Sequence, residues 1–292
     1  MTRYLIVGGD GLIGAQLEQV LARQGSVVAT TRRAVGPGRI VLDLSSGQAD
    51  AAYAVKADVA FICAAMTSML GCETNPLGSH RVNVTETIRL IAQLASNGCF
   101  VVFLSSNTVF DGETPFADED TPYSPTTEYG RQKAVAEQGI RNLPSTENCA
   151  IVRLSKVVTA KTGVAANFIQ RLRTGEPCPA FADLLLCPVS LTAVCAGLSA
   201  IAAARKPGVF HLSGAEEMSY AELAGFLARR LGAAPGLVLP SQSSDAKVNV
   251  LYRPRHPALG MARTRALLGL VPEPTENMLN ELLCGRDRHE KQ

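Results

Sequence analysis

The chain has 292 residues, 47% of them hydrophobic and 18% charged, with a formal net charge of +2. That length and apolar content give a packed globular protein of one large or two modest domains and exclude a disordered chain. The near-neutral balance, with no dense basic run, argues against nucleic acid or an anionic membrane as a partner.

Residues 3–7 predict a first strand and 12–24 a first helix, joined by the turn Gly8-Gly9-Asp10-Gly11-Leu12-Ile13-Gly14. A second strand is predicted over 26–31, a short third over 40–42 and a fourth over 59–64. A helix follows near 78–97, then a fifth strand over 100–105, a helix over 128–142 and a sixth strand over 150–154. Continuous apolar strands separated by helices imply a parallel sheet covered on both faces, an α/β doubly wound arrangement.

The second half is less regular. A loop with two prolines is expected around 174–180. Residues 184–204 carry no charge over 21 positions. Pro188, Ser190, Thr192, Gly197 and Ser199 interrupt them, so the stretch reads as a short strand (184–189) and a buried, Ala-rich helix rather than a membrane span. One more strand is predicted over 208–212, an amphipathic helix over 220–231 and a last helix over 276–283. The charged tail after Gly285 is expected to fray. No internal repeat is present.

The eight cysteines include no CxxC pair, and several lie in apolar runs such as Phe61-Ile62-Cys63-Ala64. They read as reduced core cysteines of a cytoplasmic protein. The apolar run at 4–7 is too short for a secretory signal. The four histidines are scattered, so no metal site is expected.

The glycine turn parses two ways. Gly9-x-Gly11-x-x-Gly14 fits the general dinucleotide fingerprint, and Gly8-x-x-Gly11-x-x-Gly14 the short-chain dehydrogenase variant. Both need backbone without side chains near a pyrophosphate, and a helix opening at Leu12 and Ile13 whose free amides face the phosphates. Such a pattern is weak alone and gains weight from following a strand and opening a helix. At the end of strand two, where NAD enzymes carry a carboxylate for the ribose, stand Thr30-Thr31-Arg32-Arg33. No carboxylate repels a 2′-phosphate there, and Arg32 and Arg33 can pair with it, so NADP is expected, with NADPH preferred over NADH. Asp43 and Leu44 are placed to reach the adenine.

Tyr129 and Lys133 fall on one helical face, 23 residues after Ser106. The Lys133 ammonium is expected to lower the Tyr129 pKa toward neutrality, so that the phenol can protonate a carbonyl oxygen. Ser106 can hydrogen-bond the same oxygen. A Tyr-xxx-Lys spacing alone more often marks an exposed helix face, but its place after Phe103-Leu104-Ser105-Ser106 reverses that reading. Asn83 is a lesser cofactor-side candidate that either holds backbone or water near the site or is solvated helix polarity.

The run Phe103-Leu104-Ser105-Ser106-Asn107-Thr108-Val109-Phe110-Asp111-Gly112, followed by Asp120, Pro122, Pro125 and Tyr129-Gly130-Arg131-Gln132-Lys133, resembles the extended short-chain dehydrogenase/reductase superfamily. More narrowly it resembles the dTDP-4-dehydrorhamnose reductase group. The likeness extends to Cys63-Ala64-Ala65-Met66-Thr67, Val82-Asn83-Val84, Val152-Arg153-Leu154-Ser155, Gly208 to Gly214 and Arg253-Pro254. It implies an NADP-binding Rossmann domain over 1–158, rejoined by 190–212, and a smaller α/β substrate domain mainly over 159–292. It implies catalytic roles for Ser106, Tyr129 and Lys133, a phosphate turn at Gly8, Gly11 and Gly14, and Cys63, Ala64 and Ala65 under the nicotinamide ribose. A nucleotide-sugar in the cleft would meet Thr67, Ser106, Asn107, Lys156 and Asn167.

The chain departs from that family at Met66, often Tyr there, at Lys156, often Trp, and at Thr192, where an acid is usual. Lys156 either pairs with a carboxylate or phosphate of a different nucleotide-sugar or is a solvated lysine at the cleft rim. The resemblance implies an NADPH-dependent reductase of a nucleotide-linked keto sugar, in the first place a 4-keto-6-deoxy sugar, with a homodimer as the default assembly. Dehydratases of this fold carry an Asp-Glu pair where this chain has Asn107 and Thr108, which cannot transfer protons at neutral pH. An epimerase, or a non-catalytic subunit resembling the methionine adenosyltransferase beta subunit, stays open.

Overall fold

The computed structural model describes residues 1–33, 36, 38–47, 50–53, 55–245 and 249–284; the tail after Gly285 lies outside them. β1 (Thr2–Val7), α1 (Leu12–Leu21), β2 (Gly25–Thr31) and β3 (Arg39–Val41) open the chain. α1 is shorter than expected, because the Gln24 amide already turns back onto the Leu21 carbonyl at 2.8 Å. α2 (Asp50–Tyr53) is one turn, and β4 (Val59–Ile62) follows.

The helical region predicted near 78–97 begins earlier and is segmented into α3 (Met69–Thr74), α4 (Pro76–His80), a π-helical stretch (Arg81–Glu86) and α5 (Thr87–Ser96). Asn75 makes the break: it leaves the helical conformation, and its side chain caps α4 by accepting from the Gly78 amide while Pro76 takes the first turn. β5 (Phe100–Ser106), α6 (Glu128–Arg141) and β6 (Cys149–Leu154) fall where predicted.

Beyond them come β7 (Lys156–Val158), α7 (Gly163–Thr174), β8 (Cys178–Phe181), β9 (Leu185–Leu186), β10 (Pro188–Ser190), α8 (Leu191–Ala204) and β11 (Gly208–Leu212). Then follow β12 (Met218–Ser219), α9 (Tyr220–Leu231), β13 (Val238–Ser241), α10 (Ala262–Leu268) and α11 (Thr275–Cys284). The expected proline loop around 174–180 holds β8, which gains a parallel partner in β13. The single strand expected over 184–189 is two, β9 pairing with β12 and β10 with β7, because Cys187 lies between two different partners. The Ala-rich helix is present as α8, and no helix among the described residues is long and apolar enough to cross a membrane.

Among the described residues seven parallel strands form one sheet, ordered β11-β6-β5-β4-β1-β2-β3. The chain winds outward from β1 in both directions, leaving a crevice at the carboxyl ends of β1 and β4, where ligands of such sheets bind. Strand alternation sends Ile6, Phe61, Val102, Val152 and Phe210 to one face and Leu5, Val7, Ile62, Phe103 and Ile151 to the other. α1 and α8 cover the first face with Leu17, Leu21, Val194 and Leu198. α5 and α6 cover the second with Leu90, Leu94, Ala136 and Ile140. A third core joins α7, α9 and α11 through Phe168, Leu172, Leu223, Leu227, Met278 and Leu282.

The acid that the resemblance expects at Thr192 has substitutes from the far end of the chain. Glu273 accepts from the Ser190 amide and hydroxyl, and Glu281 accepts from the Thr192 amide at 3.2 Å. Both carboxylates thus meet the positive N-terminal end of α8.

Candidate active site

The glycine turn sits at the crevice. Gly8 has φ +94°, a conformation that favours glycine, and a Cβ there would lie 2.7 Å from the Ala64 amide nitrogen. A Cβ at Gly14 would lie 2.2 Å from the Gly8 carbonyl oxygen, the same oxygen that accepts from the Gly11 amide at 3.1 Å. Gly8, Gly11 and Gly14 therefore close around one carbonyl, which favours the short-chain parsing. Gly9 instead packs on β2, donating its amide to Thr30 O at 3.0 Å. α1 begins without a side-chain cap, and Gly11, Leu12, Ile13 and Gly14 line the cavity, so its first amides face the crevice. Close backbone, uncapped amides and a dipole end suit a dinucleotide pyrophosphate.

Arg32 and Arg33 are exposed just past β2. The expectation that no carboxylate stands there needs correction. Asp10, from inside the glycine turn, accepts from the Thr31 hydroxyl at 2.7 Å. That bond, with Arg39, Arg32 and Arg33 nearby, holds its carboxyl below the usual range. Arg39 lies 3.4 Å from Asp10 and 2.6 Å from Glu18. It is a third guanidinium at this end, which the sequence reading missed because it comes from a separate strand. Asp43 is spent on Ser45, accepting from its amide at 2.9 Å and its hydroxyl at 2.8 Å. Leu44 is buried in the sheet core. Neither lines the main cavity among the described residues.

The loop after β4 brings Cys63, Ala65 and Thr67 to the cavity wall. Ala64 packs against Gly8. Asn83 is buried behind that loop, where its Oδ1 accepts from the Met66 amide at 2.8 Å and its Nδ2 donates to Met66 O and Gln132 Oε1. Asn83 thus holds the backbone of the loop beside the site, one of the two roles expected of it.

Ser106 ends β5 with its side chain at the cavity, and its Oγ accepts from the Thr108 amide at 3.2 Å and the Thr108 hydroxyl at 3.0 Å. The Ser105 hydroxyl points the other way and donates to Glu137. Asn107 also lines the cavity and donates to Pro257 O at 3.0 Å, tying this loop to the C-terminal segment. α6 reaches the loop because residue 130 is glycine: a Cβ there would lie 2.1 Å from Thr108 O. This contact places Tyr129 at the wall that Ser106 occupies.

Lys133 lies one turn behind Tyr129 and is buried. Its Nζ donates to Leu104 O at 2.7 Å and sits 4.5 Å from the Phe103 ring centroid and 6.0 Å from that of Tyr129. Burial lowers its pKa to about 8, against the opposing pull of Glu137. The expected lowering of the Tyr129 pKa is not found. Burial pushes the phenol above its ordinary value and Cys72 adds to the rise, while the ammonium is turned toward Leu104. Tyr129 is therefore a neutral phenol at ordinary pH, the protonation state a proton donor needs.

Beneath this pair lies a buried charge network that the sequence reading did not anticipate. Glu137, at helical spacing i+4 from Lys133, pairs with Arg153 of β6 at 2.7 Å, both fully enclosed. Tyr123 also donates to Glu137, at 3.1 Å. Arg153 stacks over Phe110 and Tyr123, and its Nη1 lies 3.3 Å from His211 Nε2. His211 Nδ1 lies 2.7 Å from Gly260 O. Only the neutral tautomer with the proton on Nδ1 satisfies both contacts. Burial, then Arg153, depresses the His211 pKa to about 3. The network clamps α6 to β5, β6 and β11 under the residues it presents.

These parts surround one cavity of about 1000 Å³. From the glycine turn it passes Ser106 and Tyr129 and extends between β7 and the C-terminal segments, where Phe168, Phe181, Tyr220 and Tyr252 line it. Lys156 opens onto it. Asn167 does not: α7 turns Val164 and Phe168 toward the cavity and leaves Asn167 exposed, one position off that stripe. The aromatic lining went unseen because it is gathered from segments far apart in sequence.

Comparison with known proteins agrees with this geometry. The model of the RmlD substrate binding domain matches residues 2–286. A dTDP-4-dehydrorhamnose reductase of Streptomyces griseus is 30% identical over 92% of this chain and 89% of its own length. A dTDP-4-dehydrorhamnose reductase structure from Bacillus anthracis, in complex with NADP, aligns with TM-score 0.84 at 20% identity, covering 97% of this chain and 98% of that one. The Bordetella bronchiseptica enzyme WbmG, in complex with NAD, aligns with TM-score 0.82 at 20% identity, covering 99% and 94%. The chain belongs to the RmlD substrate binding domain family, within the extended short-chain dehydrogenase/reductase type, and is an NAD(P)-dependent oxidoreductase.

Proposed function

We propose that the protein is an NADPH-dependent reductase of a nucleotide-linked 4-keto sugar. The observation that carries the reading is one cavity running from the glycine turn past Ser106 and Tyr129 into the C-terminal half. Gly8, Gly11 and Gly14 with the first amides of α1 would hold the pyrophosphate, and Arg32 and Arg33 the 2′-phosphate, with Arg39 offsetting Asp10. NADPH bound there supplies hydride to the carbonyl carbon. Ser106 orients the carbonyl oxygen, and the neutral Tyr129 gives that oxygen its proton. Lys133, whose ammonium lies 6.0 Å from the Tyr129 ring centroid, would favour the phenolate as it forms and would turn from Leu104 O to meet the ribose. Positioning in an enclosed site contributes much of the acceleration.

The separate core of α7, α9 and α11 supports a division into a cofactor-binding part over 1–158 with 190–212 and a mainly substrate-binding remainder. The cysteines are unpaired, most of them buried, which suits the reducing cytoplasm. The test is NADPH oxidation, followed by absorbance, against nucleotide-linked 4-keto sugars, with NADH in parallel. Turnover that favours NADPH and falls by about 10²–10⁴-fold in Tyr129→Phe is expected. Tight NADPH binding without turnover of any such sugar counts against the reading.

A further inference from the structure

Lys156 is the sole charged side chain among the described residues lining the main cavity. Its backbone amide is engaged, donating to Cys187 O at 3.1 Å, but its ammonium has no hydrogen-bond or ion-pair partner among the described residues. The side chain is open to the cavity, yet Val157, Val164, Phe168, Leu184 and Leu186 line the same space, and burial lowers its pKa. Lys156 is exposed to solvent inside the cavity, so an anion that entered would meet an unpartnered cation beside apolar walls.

Its place relative to the reacting centre follows from strand register. Ser106 pairs with Leu154 across β5 and β6, and Lys156 stands two residues further on, at the start of β7. At roughly 3.3 Å per residue and roughly 4.8 Å between strands, the Ser106 and Lys156 backbones lie roughly 8 Å apart. The lysine stem spans much of that gap, so the ammonium reaches the sugar that carries the ketone or its immediate substituents. It is not a contact for a distant base.

We infer that Lys156 receives an anionic oxygen group of the substrate carried on the sugar ring that holds the ketone, either a ring carboxylate or the phosphate on the anomeric carbon. This rests on the reading of the cavity as a nucleotide-sugar site. It makes Lys156 a specificity-determining residue, where an aromatic side chain would recognise an uncharged sugar face instead.

The experiment is calorimetric titration of the NADPH-loaded protein with UDP, UDP-glucose and UDP-glucuronic acid, repeated with dTDP and dTDP-glucose. Wild type is compared with Lys156→Met, which keeps the stem, and Lys156→Gln, with NADPH affinity as the control for folding. Loss of one charge-assisted contact weakens binding about ten- to hundredfold. An equal loss for every nucleotide, the sugar-free ones included, supports the phosphate as the anion. A loss confined to UDP-glucuronic acid supports the carboxylate. Variants that bind every ligand within about twofold of wild type overturn the inference and leave the nucleotide-sugar reading standing. A wild type that binds NADPH but none of these nucleotides overturns both.

Discussion

Replacing Lys133 with Met separates the cost of its charge from the use made of it. The residue is 3% exposed, and burial holds its pKa at about 8 instead of 10.5. At about 1.36 kcal/mol for each pH unit, keeping it charged in the folded chain costs about 3 kcal/mol. Between about pH 8 and 10.5 the unfolded chain keeps the proton and the folded chain releases it. Stability from this group therefore rises with pH through that window. The full cost applies below about pH 8 and is gone above 10.5. Lys133→Met removes it while filling similar volume, but forfeits the bond to Leu104 O, about 1 kcal/mol. The variant should be more stable than wild type by about 2 kcal/mol at pH 7, lose that advantage toward pH 10.5, and turn over poorly. Urea unfolding at pH 7 and pH 10, beside NADPH turnover, measures all three. A variant less stable than wild type at pH 7 would refute the argument that this ammonium is kept at the expense of folding.

Gly130→Ala should push α6 away from Thr108 O, costing about 1–3 kcal/mol of stability and about 10²-fold in kcat through misplacement of Tyr129, with NADPH affinity largely kept. An alanine variant with wild-type kcat would show that this close approach does not set the tyrosine. Arg32→Ala with Arg33→Ala should weaken NADPH binding about ten- to hundredfold and change NADH binding little, read by fluorescence titration. Equal losses for both cofactors would remove these arginines from 2′-phosphate recognition. His211 is held neutral down to about pH 3, whereas the unfolded chain protonates it near 6.5, so acid favours unfolding through that window. It should account for about 2 kcal/mol of lost stability between pH 7 and pH 5. Urea midpoints unchanged between those two pH values would contradict its buried neutral state.

Much of the cofactor end was legible because its chemistry is local. A strand, a turn of close-set glycines and a helix follow one another within the first 21 residues, and Gly11 and Gly14 both meet the Gly8 carbonyl within that short span. The Ser106, Tyr129 and Lys133 set was legible because strand end and helical spacing place it. The sign of the tyrosine shift was not. It depends on how deeply α6 is buried and on where the Lys133 ammonium turns, and spacing carries neither. Asn83 holds the Met66 backbone beside the site, one of its two expected roles, but its second partner, Gln132, comes from α6, which spacing does not show. Asp10 reaches the end of β2 only because the glycine turn folds back over Thr31. α7, β8 and α10 escaped for a related reason. Their stability comes from packing and pairing with distant partners, as β8 does with β13, and proline there sits in a short peripheral pair outside the main sheet.

The most direct test of the central claim is to run the reaction on a nucleotide-linked 4-keto sugar with NADPH deuterated at its transferable position and to locate the label in the product. One deuterium is expected on the carbon that carried the carbonyl, one NADP+ formed per alcohol, and label transfer slowed by about 10²–10⁴-fold in Tyr129→Phe. A sugar converted without net NADPH oxidation and without deuterium at that carbon would contradict it, and would mean that this cavity performs a chemistry other than reduction.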